Sequence, residues 1–177
     1  MTTTAPAVTT SSVDGHFAPA PRIQVPAGYR AEIYATGLDR PTALAFGPQQ
    51  RLYATQEGGT VVAVTPRSRQ PRVVAAGFST PLGLAFSGRT LYVSSQGRLD
   101  RLELVGGRLR DPTPVVTGLP YGLHQQDNVV VLGGRLFFGS GSTCNACTEP
   151  DARSAAILSA RPDGSDLRIV ATGLRNR

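Results

Sequence analysis

Four stretches of this 177-residue chain open alike, and the distance between them limits the fold more than any other feature. They read ATGLDRPTALAF (35–46), AAGFSTPLGLAF (75–86), VTGLPYGLHQQDNVVV (116–131) and ATGLRNR (171–177). Their shared glycines are Gly37, Gly77, Gly118 and Gly173, so the steps are 40, 41 and 55 residues. Behind each of the first three lies an apolar run, then a second strand-like segment: RLYAT (51–55), TLYVS (90–94) and RLFFG (135–139). A third follows, TVVAVT (60–65), RLDRLEL (98–104) and AAILSA (155–160), and a fourth, PRVVAAG (71–77), TPVVTG (113–118) and LRIVATG (167–173). Four short strands repeating every forty or so residues, parted by turn signals such as Gly106-Gly107 and PDG at 162–164, mark a β-propeller blade. A plain β-sandwich explains the strands but not the recurrence of a whole unit.

The expected fold class is therefore all-β: about three four-stranded blades, at roughly 40–77, 80–118 and 121–173. YRAEIYATG (29–37) reads as an outer strand without its preceding three, the orphan that in a closed ring completes the last blade. Three blades leave two apolar blade faces open to water, so the sequence predicts about half of a propeller spanning 27–177. Residues 1–26 are rich in Thr, Ala and Pro with few bulky apolar groups, and are expected to lack order; His16 lies there. This opening has neither the basic start nor the apolar stretch of a secretory signal.

Composition narrows the function. The net charge of +6 invites a nucleic-acid partner, yet the basic residues are all arginines scattered between strands, and aromatics amount to 6% with no Trp. Solvated strand edges account for them better, and no nucleic-acid partner is expected. No run of about 18 apolar residues exists to cross a membrane as a helix.

The third repeat departs from the others. From marker glycine to the first core residue of the inner strand is 7 positions in repeats one and two (Gly37 to Leu44, Gly77 to Leu84), but 11 in repeat three (Gly118 to Val129). His124 lies in the added residues. A second insertion, GSGSTCNACTEPDAR, follows the next strand, where the other repeats have only QEGG and QGR. Antiparallel strands reverse at each turn, so the link into strand one and the link between strands two and three emerge at the same end of a blade. Both insertions are thus expected on one rim, near the axis where inner strands converge, and loops set on a rigid scaffold commonly carry function. An imidazole titrates near neutrality and can take a substrate proton; Gln125, Gln126 and Asp127 beside it offer groups to hold its tautomer or bind hydroxyls. A histidine bonded within a turn is the plainer alternative. Cys144 and Cys147 lack further soft ligands for zinc, the histidine that haem attachment needs, and the helix of a thioredoxin motif. A disulfide within the loop fits an oxidising compartment, free thiols a reducing one.

The stretch H-Q-x-D, a strand, GSTCxAC and finally GLRN (122–177) resembles the glucose/sorbosone dehydrogenase family. The resemblance runs over about 27–177 and implies the first half of a six-bladed propeller enzyme that uses pyrroloquinoline quinone (PQQ) and calcium. It implies that His124 is the general base for a sugar hydroxyl whose hydride passes to the quinone, and that Arg175 and Asn176 contact the cofactor. It further implies a small sugar substrate, for which Gln125 and Asp127 are the candidate binding residues read from their place beside the histidine, calcium ligands outside these residues, and a periplasmic or secreted setting. Leu123 stands where glucose-specific relatives tend to carry an acid, which points to the sorbosone-like branch. The chain alone is expected to be inactive. Two rival readings are a non-catalytic propeller module, with two half-propellers closing one ring as a homodimer, and a lactonase-type hydrolase. The latter wants several acidic metal ligands, and the repeat starts offer only Asp39 and Asp127.

Overall fold

The computed structural model describes residues 17–20 and 22–174. The expectations for residues 1–16, including His16, and for Arg175 and Asn176 lie outside the described residues. The chain divides into two compact units between Tyr34 and Ala35. In the N-terminal unit, β1 (Ala18–Pro19) pairs antiparallel with β2 (Glu32–Ile33). Phe17 and Tyr34 stack beside the ribbon with ring centroids 5.3 Å apart. The strand read at 29–37 is thus present at Glu32–Ile33, and Ala18–Pro19 is its neighbour.

The second unit holds three antiparallel sheets. The first runs β3 (Pro41–Phe46), β4 (Leu52–Gln56), β5 (Thr60–Val64), β6 (Arg72–Ala76), in chain order. The second runs β7 (Gly83–Ser87), β8 (Thr90–Ser95), β9 (Arg98–Val105). Its outer edge is split between two short strands on β9, β10 (Arg108–Leu109) and β11 (Thr113–Val116). The third runs β12 (Gln126–Leu132), β13 (Arg135–Ser140), β14 (Ala156–Ala160), β15 (Arg168–Thr172).

The marker glycines recur for a backbone reason. Gly37, Gly77, Gly118 and Gly173 have φ of +80°, +92°, +65° and +75°, a region that side-chain-bearing residues rarely adopt. At Gly37 a Cβ would also run into the carbonyl oxygen of Arg69. The same chemistry closes the shortened hairpin of the third sheet. Gly133 and Gly134, at +56° and +73°, form a two-residue turn between the paired Leu132 and Arg135.

Two apolar cores hold the sheets together. Tyr53, Val61 and Ala63 of the first sheet meet Leu84, Leu91, Val93 and Leu102 of the second. Tyr92, Leu99 and Val116 of the second meet Val129, Leu136, Phe138 and Leu158 of the third. Each fully buried Leu, Val or Phe contributes about 1.5–3 kcal/mol. The middle sheet is covered on both faces, so β8 reads as a run buried from Leu91 to Ser95 rather than as an alternation. By contrast β12 alternates, with Val129 buried and Val130 and Leu132 exposed. The inner strands β3, β7 and β12 lie side by side in that order, which fixes the central edge of the assembly.

Candidate functional site

The two insertions of the third repeat meet. Beyond the start of β12 and the end of β13 the ladder continues through the loops themselves. Gly141 N–H donates to the Gln125 carbonyl (3.0 Å), His124 N–H to the Ser142 carbonyl (3.1 Å) and Leu123 N–H to the Thr143 carbonyl (3.1 Å). The backbones approach so closely that only glycine fits at two points. A Cβ on Gly141 would lie 2.6 Å from the His124 Cβ, and one on Gly122 would overlap the Thr143 carbonyl. The longer loop has its own framework. Glu149 accepts from Thr143 N–H (3.0 Å) and from its hydroxyl (2.7 Å), and this hydroxyl bond above all holds the Glu149 carboxyl below its usual range. Asp151 is pulled down to about 2 by the guanidinium and backbone N–H of Arg153, whose side chain grips it at 2.6 Å. Cys144 and Cys147 are joined in a disulfide, with Cα atoms 6.1 Å apart.

His124 is thus pinned through its main chain on the rim. Its residue is half-buried, while Nε2 is shielded from water and has no hydrogen-bond partner among the described residues. An unpaired buried nitrogen of this kind costs about 1–3 kcal/mol, which a hydroxyl placed against it would recover.

The amides do other work. Gln126 is fully buried; its Nε2 donates to the Pro120 carbonyl (2.7 Å) and to Ser140 Oγ (3.3 Å), and its Oε1 accepts from Gly97 N–H (2.6 Å). Gln125 reaches back to donate to the Thr80 carbonyl at 2.6 Å. Both therefore fasten the third sheet to the loops of the second, a task that a local reading of the sequence does not reveal. Side chains from non-equivalent repeat positions stitch the same end of each seam: Thr42 donates to the Pro81 carbonyl (2.6 Å) and Ser94 to the Asp127 carbonyl.

Asp127 lines a cleft of about 160 Å³ on the far face of the third sheet, with Gly139, Ser140, Gly141, Ile157 and Leu174. His124 adjoins Gly141, its Cβ 2.6 Å from where a Gly141 Cβ would lie, and is not part of the lining. Asp127 Oδ1 accepts from Asn128 N–H (2.8 Å), leaving its other oxygen for a ligand. Among the described residues the metal-capable cluster is Cys144, Cys147 and Glu149, whose two thiols are consumed by the disulfide.

No family model matches the sequence, and no curated protein matches it. Solved structures do. The PQQ-bound form of an aldose sugar dehydrogenase from Streptomyces coelicolor matches 74% of this chain at 25% identity with a TM-score of 0.63. The PQQ domain of a pyranose dehydrogenase from Coprinopsis cinerea matches 90% at 21% identity with a TM-score of 0.72. The fold is a β-propeller. A gluconolactonase from Xanthomonas campestris also matches, over 84% of the chain at 21% identity and a TM-score of 0.58. The matches cover 47%, 45% and 50% of those three proteins, so the chain spans about half of each.

Proposed function

We propose that this chain is a half-propeller of a PQQ-dependent sugar dehydrogenase-like protein of the sorbosone-like branch, with His124 as the base. The observation that carries the reading is the union of the two insertions of the third blade, which fixes an imidazole with an unpaired Nε2 on one rim. The likeness to a PQQ-bound aldose sugar dehydrogenase supports it at the level of the fold. The lactonase reading gains less. It needs clustered acidic ligands, and the metal-capable group among the described residues contains a single carboxylate.

That orphaned nitrogen suits a hydroxyl donor such as a sugar offers, and bears on the substrate rather than on the quinone. PQQ, when bound, supplies a hydride acceptor, and calcium its electrostatic partner; their ligands, Arg175 and Asn176 among them, belong to the resemblance. The residues of this chain then act as follows. The bonds from His124 N–H to Ser142 and from Gly141 to Gln125 hold the imidazole's origin fixed. The imidazole is then the base that takes the proton of a sugar hydroxyl reaching Nε2 on the rim. Asp127, at the edge of the cleft, accepts a hydrogen bond from a second hydroxyl and orients the sugar.

The test is a chimaera in which residues 27–177 replace the half they match in the Streptomyces coelicolor protein. Loaded with PQQ and calcium, it is expected to reduce a dye with an aldose or aldehyde sugar, whereas the 177-residue chain alone gives no turnover. A folded chimaera that binds PQQ but turns over no sugar overturns the proposal.

A further inference from the structure

Sequence spacing alone denies Cys144 and Cys147 the further ligands of a metal site; the fold supplies one. The Glu149 carboxylate and the two sulfurs lie within 4.8 Å of one another. A C-x-x-C pair is the common half of a zinc site, and tetrahedral ligands at ordinary Zn–S and Zn–O lengths stand roughly 3.6–3.8 Å apart. While the disulfide is closed, neither sulfur is a thiolate, the form that binds metal.

The hydrogen bonds that shape the loop do not pass through sulfur. Glu149 is held by the Thr143 N–H (3.0 Å) and hydroxyl (2.7 Å). Thr143 is tied in turn through its carbonyl to Leu123 N–H (3.1 Å). At the far end Arg153 grips Asp151 (2.6 Å), Ser154 N–H donates to the Asp151 carbonyl (2.9 Å), and Ala155 N–H to the Gly141 carbonyl (3.2 Å). The bridge joins residues three apart, so the ring it closes is short and its opening frees little chain. Cys147 is exposed and Cys144 half-buried, which leaves the bond open to a small dithiol.

We infer that reduction turns this loop into a binding site for one soft or borderline divalent cation, zinc or cadmium, held by Cys144, Cys147 and Glu149. A dithiol supplies two electrons and two protons: the Sγ–Sγ bond breaks, two thiols form, and the dithiol closes to its own disulfide. The cation then displaces the two thiol protons, and two thiolates with one carboxylate neutralise its charge. Three protein ligands leave the fourth tetrahedral corner to water. Reoxidation expels the ion, so occupancy follows the redox state of the rim loop. The inference concerns this loop alone and stands apart from the quinone reading.

In the test, the 177-residue chain is reduced with dithiothreitol, desalted under argon and titrated with cadmium, read by thiolate-to-cadmium charge-transfer absorption in the ultraviolet. The signal is expected to saturate at one equivalent, with the sheets still folded by circular dichroism. The oxidised chain, and a variant carrying both Cys144→Ser and Cys147→Ser, are expected to give no signal. Glu149→Gln separates a built site from chelation by any dithiol: it keeps an acceptor for Thr143 but loses the charge. It is expected to weaken binding by about tenfold or more, the scale on which even outer partners of a metal site act. Reduction that unfolds the chain, a reduced chain without an endpoint at one equivalent, an oxidised chain that binds equally well, or Glu149→Gln with wild-type affinity overturns the inference.

Discussion

In the chimaera, His124→Ala lowers kcat for the sugar by about 10²- to 10⁴-fold, the range that a positioned general base supplies. The loss falls on kcat more than on KM, because a base that moves a proton in the transition state contributes little to ground-state binding. The flanking geometry makes the variant a clean one. The bonds that fix this rim run through main-chain groups of residues 123–125 and 141–143, none of which alanine removes. His124→Gln, which keeps a polar side chain without the basic nitrogen, is expected to lose nearly as much. Steady-state kinetics with added imidazole complete the measurement: partial rescue of the alanine variant is expected, and a variant within threefold of wild type excludes His124 as the base.

Replacing Gln126 by alanine costs about 4 kcal/mol of folding stability. Two contributions add. The side chain is fully buried, so its removal leaves a hole, and cavity formation in a packed interior costs on the order of 2 kcal/mol or more. The Gly97 N–H also loses its partner in a buried bond, at about 1–3 kcal/mol for a group left unpaired, whereas the part-buried Pro120 carbonyl can turn to water. Gln125→Ala, at a half-buried position with a single bond to the Thr80 carbonyl, is expected to cost about 1 kcal/mol. Urea unfolding checks both; the midpoint for Gln126→Ala falls with an unchanged slope. Equal losses at 125 and 126 would contradict the role assigned to the buried amide.

The contrast between these neighbouring glutamines shows where the sequence stops speaking. Strand positions and blade order were legible because they depend on local patterns: marker glycines forced by positive φ, Gly-Gly hairpins, and apolar runs at repeat spacing. The meeting of the two insertions was legible too, since strand alternation alone puts both links at one end of the blade. The partners of Gln126 were not. Gly97 lies 29 residues away in another sheet, and only the packing of sheet on sheet brings it to 2.6 Å. For the same reason the sequence places His124 on the rim but does not say which way the ring turns, nor that Gly141 and not the imidazole borders the cleft. The split outer edge of the second blade escaped as well. The Gly106-Gly107 turn was evident, but a two-residue strand such as Arg108–Leu109 carries no periodic signal.

His124 is the single histidine of residues 27–177, which makes the site accessible to a direct measurement. In the chimaera labelled with ¹⁵N at histidine, titration with PQQ and calcium is expected to move the Nε2 resonance of His124, assigned by its absence from His124→Ala. A His124 resonance that stays fixed while the cofactor saturates the protein, or one that never responds at any concentration, would contradict the assignment of this imidazole to the reaction.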